Sequence, residues 1–350
     1  MSAQLGRRGL ALLLIAVAAL AGAASTSATQ QPTVKQLNAF GLGQGAGHVR
    51  SRVLGRGLRF LSLPAGAWGG VYTARSGARV TVYSSGGYVV DEAANQAAAD
   101  YIDSLVHGKE ISSVNIYFGS PTEVGTLCHS QEADGCYFPA NGQIVSIGED
   151  TPWSTVEEVV THEFGHHVAN NRLNEPWPAV AFGTKRWATY EGICQKEAAG
   201  VAFPGDEGEH YFQNPGESFA ESYLHLNEVK LGVPETPWGY DPMFTPDAGA
   251  LAAIEQDVLQ PWKRTPLKYL SGRFSHRGQQ KTFSFSTPLD GVFAAEFRGP
   301  RGSKLTVRGP AEVKRMSAGV SAALVCGQRT VTARFVAGGA GRFAAAALIP

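Results

Sequence analysis

His162-Glu163-Phe164-Gly165-His166 is the run in this 350-residue chain whose residue types and spacing could do chemistry. On a helix, residues four apart lie on one face, so the two imidazoles aim at a single ion while Glu163 projects beside it. Zinc suits this set, taking imidazole nitrogens at about 2.0–2.1 Å and keeping one position open for water. Water next to such an ion ionises near neutral pH, and an adjacent carboxylate accepts its proton and later hands it to a leaving group. The five-residue pattern arises by chance in on the order of one chain in a hundred. His167 is turned by about 100° from His166 and is read as structural. Gly165 costs a helix roughly 1 kcal/mol relative to alanine, which is either tolerated or reflects the close approach of another backbone.

A third protein ligand must come from elsewhere. Glu217 and Glu221, four apart in Asn214-Pro215-Gly216-Glu217-Ser218-Phe219-Ala220-Glu221, share a helical face. One of them is expected to bind the ion and the other to accept a hydrogen bond from a ligand imidazole, fixing its tautomer.

His162-Glu163-x-x-His166 followed by Glu217-x-x-x-Glu221 resembles the gluzincin branch of zinc peptidases, to which thermolysin and the lethal-factor toxin belong. The segment 214–221 looks most like the toxin's ligand helix. The resemblance implies that Glu217 is the third zinc ligand, that Glu221 stands behind it in the second layer, and that Glu163 is the general base. It also implies a Tyr or His near the metal to stabilise an oxyanion. Tyr211 is preferred over its neighbour His210, with Tyr223 as an alternative donor. The strand Gln143 to Ile147 would then hold an extended substrate by strand addition. The likeness spans residues 155 to 225. The metzincin pattern fails, because its glycine and third histidine positions hold Ala169 and Arg172. Gly183-Thr184-Lys185-Arg186-Trp187 lacks the aspartate of an aspartate-liganded site.

Several elements must position these groups. Ser154-Thr155-Val156-Glu157 reads as a capping box opening a helix to about Asn170, and Asn214 with Pro215 opens another to about Lys230. Thr245-Pro246-Asp247 opens a third. Ala78–Tyr83 and Ser113–Phe118 alternate as strands around a helix at Asp91–Val106, and Asn141-Gly142 marks a hairpin that places Gln143–Ile147 at or near the sheet edge. After about Lys268 short alternating runs separated by Gly and Pro predict strands at 282–286, 292–297, 304–307, 322–325, 330–336 and 342–348.

The expected architecture is therefore α+β: a zincin-like catalytic domain over 71–265 and an all-β sandwich module over 268–350. Residues 1–28 read as a signal peptide, with Arg7 and Arg8 before the apolar run Leu10–Leu20 and small residues after it. Residues 29–70 are Gly-rich and read as a flexible linker or pro-segment. The 30 basic and 30 acidic residues balance, and loss of Arg7 and Arg8 leaves the mature chain at about −2, so neither nucleic acid nor an anionic membrane is an indicated partner. No segment is long enough to span a membrane. Cys128, Cys136, Cys194 and Cys326 are an even count in a chain bound for an oxidising compartment, so disulfides are expected, Cys128 with Cys136 across the polar loop and Cys194 with Cys326.

The functional expectation is a secreted, extracellular zinc endopeptidase acting on a peptide or protein substrate, with surface or glycan contact open to the C-terminal module. The competing readings are a silent zinc-binding adhesion protein and a non-peptidase zinc hydrolase. Glu163 argues against the first, because a purely structural site needs ligands and no base.

Overall fold

The structure, a computed structural model, describes residues 49–55, 62–309, 312–317 and 319–350. The expected signal peptide lies outside the described residues, as does much of 29–70. The chain divides into two compact units, one holding the described residues up to 173 together with 178–262, the other holding 174–177 and 263–350. The molecule is mixed α and β, with an all-antiparallel β region at its C-terminal end.

The first unit is built on a five-stranded sheet. Its strands are β1 (Trp68–Thr73), β2 (Arg79–Ser84), β3 (Asn115–Gly119), β4 (Gly135–Phe138) and β5 (Gln143–Ile147), ordered β1-β2-β3-β5-β4. β2, β3 and β5 run parallel, and β1 and β4 close the two sides antiparallel. β5 is buried at all five positions, the pattern of an interior strand covered on both faces. It is hydrogen-bonded on both sides, to β3 and to β4, so it cannot accept an added strand. The expectation that Gln143–Ile147 receives substrate is therefore corrected: β4 is the outer strand.

The helices of this unit are α1 (Glu92–Ser104), α2 (Pro121–Leu127), α3 (Val156–Asn170), α4 (Ala179–Phe182), α5 (Lys185–Tyr190), α6 (Ile193–Ala198), α7 (Pro215–Leu231) and α8 (Ala248–Leu259). α3 is capped by Thr155, whose side chain accepts from the Glu158 N–H while Glu158 reaches back to the Thr155 N–H, one residue later than the expected box. Ser154 instead donates its hydroxyl to Asp134, 3.1 Å away. α7 begins where Asn214 and Pro215 predict: the Asn214 side chain accepts from the Gly216 N–H, and Gly232 at φ 68° ends the helix in the left-handed region. α3 lies between the sheet and α7. A β-carbon at Gly165 would stand 3.0 Å from the Ala220 Cα and 3.2 Å from the Tyr223 Cβ, so the glycine is there to let two helix backbones approach.

The segment 49–55, which falls in the stretch read as a linker or pro-segment, packs into this unit: Val49 and Leu54 belong to the core formed with Cys136, Val145 and Val159. Val53 stands opposite Tyr137 of β4 in a parallel bridge.

Cys128 and Cys136 are bonded to each other, as their spacing predicts, which ties the end of α2 to β4. Cys194 and Cys326 are also disulfide-bonded. Among the described residues no helix is long and apolar enough to cross a membrane.

The second unit has two antiparallel sheets. β6 (Lys268–Phe274), β8 (Gly291–Arg298), β10 (Glu312–Ser317), β11 (Val320–Val325) and β13 (Gly341–Leu348) form one in the order β10-β11-β8-β13-β6. β7 (Gln280–Ser286), β9 (Lys304–Arg308) and β12 (Thr330–Val336) form the other in the order β7-β12-β9. Both sheets contribute to one core, in which Phe297 stacks on Phe335 at 4.6 Å and Phe274 meets Phe343 at 4.9 Å. β6 and β10 escape the sequence reading.

Candidate metal centre

α3 and α7 each turn a pair of groups separated by one helical turn toward the other. His162 and His166 come from α3, Glu217 and Glu221 from α7, and all four are fully buried. One ring nitrogen from each histidine and one Glu217 oxygen lie within 4.8 Å of one another. The closest approaches are His162 Nε2 to Glu217 Oε2 at 3.2 Å and His166 Nε2 to Glu217 Oε1 at 3.3 Å. Ligands about 2.0–2.1 Å from one tetrahedral ion are themselves about 3.3 Å apart. The spacing therefore fits a divalent cation, as does the chemistry of two imidazoles with one carboxylate.

Glu221 does not join this cluster directly. Its Oε2 lies 2.8 Å from His162 Nδ1, the ring nitrogen facing away from Glu217. The carboxylate so placed holds the proton on Nδ1 and leaves Nε2 as a donor atom. His167 points elsewhere, toward the Tyr137 hydroxyl at 3.1 Å and the Glu110 carbonyl at 3.0 Å, in keeping with a structural role.

Glu163 sits beside the cluster under Gly135 of β4. A β-carbon on Gly135 would be 2.6 Å from Glu163 Oε1 and 2.8 Å from Val159 Cγ1, so only glycine leaves room for the carboxylate. Neither Glu163 oxygen has a partner in full hydrogen-bond geometry. Burial pushes its carboxyl up to about 8, opposed by the charge of His162 and by the nearby Ser51 hydroxyl. Burial also works against charge on His162, but Glu217 and Glu221 outweigh it and hold that imidazole up at about 10. Glu217 shows the reverse balance: burial favours its neutral form, yet His166 and His162 keep its carboxyl far below the usual range. Three fully buried carboxylates and two imidazoles make an arrangement that calls for a cation.

Two tyrosines complete the wall. The Tyr211 hydroxyl donates to Glu217 Oε2 at 3.1 Å and lies 3.0 Å from the Tyr240 hydroxyl, which is itself 3.5 Å from the same oxygen. Burial raises both phenols well above their ordinary range, so they stay protonated donors. His210 turns away to Asp206 at 2.9 Å, and the Tyr223 hydroxyl is spent on the Val106 carbonyl at 2.6 Å.

The sequence-predicted residues His162, Glu163, His166, Tyr211, Glu217 and Glu221 are thus brought together. Tyr240, Ser51 and Glu207 also border the site and were missed. Tyr240 follows a proline-rich loop with no motif around it, Ser51 lies next to the Gly-rich run, and Glu207 is one of several scattered acids. Comparison of the chain with protein-family models, with curated proteins and with solved structures finds no match.

Proposed function

We propose that this chain is a zinc-dependent, secreted endopeptidase of gluzincin type, its first unit a zincin-like catalytic domain. The reading rests on one observation, the convergence of His162, His166 and Glu217 donor atoms with Glu163 alongside and Glu221 behind His162. A structural metal site has no use for an unpaired buried carboxylate beside its ligands, whereas a hydrolytic site needs one.

Zinc, when bound by His162, His166 and Glu217, supplies Lewis acidity to water and to a carbonyl. Glu163 accepts a proton from the water and returns it to the leaving amine. Glu221 keeps His162 in the tautomer that presents Nε2. Tyr211, a protonated donor at the site wall, offers its hydroxyl to the oxyanion. The paired disulfides are compatible with an oxidising compartment.

Zinc-loaded chain is incubated with a mixed peptide library and the fragments are read by mass spectrometry beside Glu163→Gln. The expected result is cleavage by the wild type that falls by about 10²–10⁴-fold in the variant, with zinc retained in both. Equal cleavage by the two proteins, or zinc bound by neither, overturns the reading.

A further inference from the structure

The outer side of β4 is already in use. Tyr137 donates its N–H to the Arg52 carbonyl at 2.9 Å, Leu54 donates to the Tyr137 carbonyl at 2.9 Å, and Asp134 donates to the Arg50 carbonyl at 2.8 Å. Residues 50–54 therefore lie against β4 as an extended peptide, parallel to it, although no regular strand is formed there.

The same few residues reach the metal centre. Ser51 is buried, its N–H donates to the Tyr211 hydroxyl at 3.1 Å, and its own hydroxyl stands 3.4 Å from His166 Nε2 and near Glu163. Val53 donates its N–H to Glu207 at 3.2 Å, and the Val49 carbonyl accepts from the Tyr240 hydroxyl at 3.4 Å. Val49 and Leu54 anchor the two ends in the core. With the segment in place, His162, Glu163, His166 and Glu217 have no solvent exposure at all, so a peptide reaches them only in the fraction of molecules in which the segment has moved aside.

We infer that the outer edge of β4 is a groove for extended peptides and that residues 49–55 occupy it as a tethered resident, keeping the site latent until they are displaced. The inference rests on the peptidase reading for its functional meaning. The ligand class follows from the occupant: an extended chain with a small side chain facing His166 and apolar side chains at either end. What the segment presents to the donor atoms is a side-chain hydroxyl. Its Arg50 and Arg52 carbonyls are committed to β4, and its Val49 carbonyl to Tyr240. Tethering gives such an occupant an effective concentration in about the millimolar range, so a free peptide at micromolar concentration does not displace it.

The test uses the full chain with Val49→Asp and Leu54→Asp together, which put charges at the two buried anchors. Hydrogen exchange is followed at 134–138 and at 143–147, cleavage of the peptide library is followed in the zinc-loaded protein, and a synthetic heptapeptide with the sequence of residues 49–55 is then added. The expected result is exchange at the Asp134 and Tyr137 amides at least about tenfold faster than in the wild type, with 143–147 unchanged. Library cleavage should rise by a similar factor, and the heptapeptide should reverse both effects. A variant that keeps 143–147 protected yet shows no faster exchange at Tyr137 overturns the inference, and so does a heptapeptide that restores neither property. Should the charged pair unfold the protein, Val53→Pro removes the N–H bound to Glu207 and leaves both anchors in place; it should show the same faster exchange. Rebinding of the heptapeptide with cleavage by no form of the protein would sink the peptidase reading and leave the occupied groove standing.

Discussion

Glu221 Oε2 lies 2.8 Å from Nδ1 of His162, on the side of the ring opposite Glu217. The two glutamates sit one turn apart on α7, yet one faces the donor cluster and the other backs a ligand, so their replacement has unequal consequences. Glu221→Ala should weaken zinc binding by about 10–100-fold, the usual cost of losing a carboxylate behind a ligand histidine. Glu217→Ala removes a donor atom and should weaken it further. Competition with a chromophoric chelator measures both, and the reverse order would overturn the assignment of Glu217 as ligand. Glu221→Gln, which keeps an acceptor for Nδ1, should recover part of the loss.

In the metal-stripped protein, pH acts through the same cluster. His162 is held up at about 10 against an ordinary 6.5, so the stability from its charged form is fully present below about 6.5 and is lost as pH rises toward 10. Glu163, raised by burial to about 8 from 4.5, works in the same sense, because above 4.5 the unfolded chain releases a proton that the folded chain retains. The melting temperature of stripped protein should therefore fall between pH 6.5 and 9. Each kcal/mol lost should lower it by roughly 2–4 °C. Zinc-loaded protein should show a flatter profile, since a bound cation takes over the role of the His162 proton. A melting temperature of stripped protein that rises over this window would contradict the charge balance described.

Gly165→Ala sets two effects against each other. Alanine favours a helix over glycine by roughly 1 kcal/mol. Its methyl group, however, would stand 3.0 Å from the Ala220 Cα, a backbone atom of another helix that cannot give way cheaply. Overpacking of this kind costs about 1–3 kcal/mol, so a net loss of up to about 2 kcal/mol is expected in urea unfolding. A gain in stability would mean that α3 and α7 approach less closely than described.

How far the sequence disclosed this arrangement depended on range. Helical spacing is local, so His162, His166, Glu217 and Glu221 were legible from i,i+4 separations alone, and Asn214-Pro215 located the start of α7. The cap of α3 slipped by one residue because Ser154…Glu157 and Thr155…Glu158 both satisfy the same pattern; only the long-range bond from Ser154 to Asp134 decides between them. The outer strand was misplaced for a related reason. The hairpin at Asn141-Gly142 pairs β4 with β5 but does not say which has a second neighbour, and that is settled by β3, more than twenty residues upstream. Ser51, Glu207 and Tyr240 reach the site across about 160, 10 and 23 residues from Tyr211 and Glu217, with no periodicity to mark them. Residues 49–55 gave no choice between linker and pro-segment because glycine surrounds them, while their hydrogen-bond partners lie far along the chain.

Arg172, the residue standing where the metzincin pattern has its third histidine, ties several elements together. Its guanidinium bonds Glu110 through both nitrogens, at 2.9 and 2.8 Å, and also donates to the Asp257 and Val258 carbonyls, each at 3.0 Å. Both side chains of the pair are almost wholly buried. It thereby ties the end of α3 to the last turn of α8 and to the turn that precedes β3. The Arg172 charge and hydrogen bonds overcome burial and hold the Glu110 carboxyl below its usual range. Removing one partner leaves the other charged and unpaired in the interior, which costs about 3–5 kcal/mol. Arg172→Met and Glu110→Leu alone should each destabilise by that order, while the two together should lose clearly less than the sum, as a double-mutant cycle in urea would measure. Additive losses would show that the pair is not energetically coupled. Zinc affinity should survive in Arg172→Met, because the guanidinium reaches the metal centre only through the end of α3.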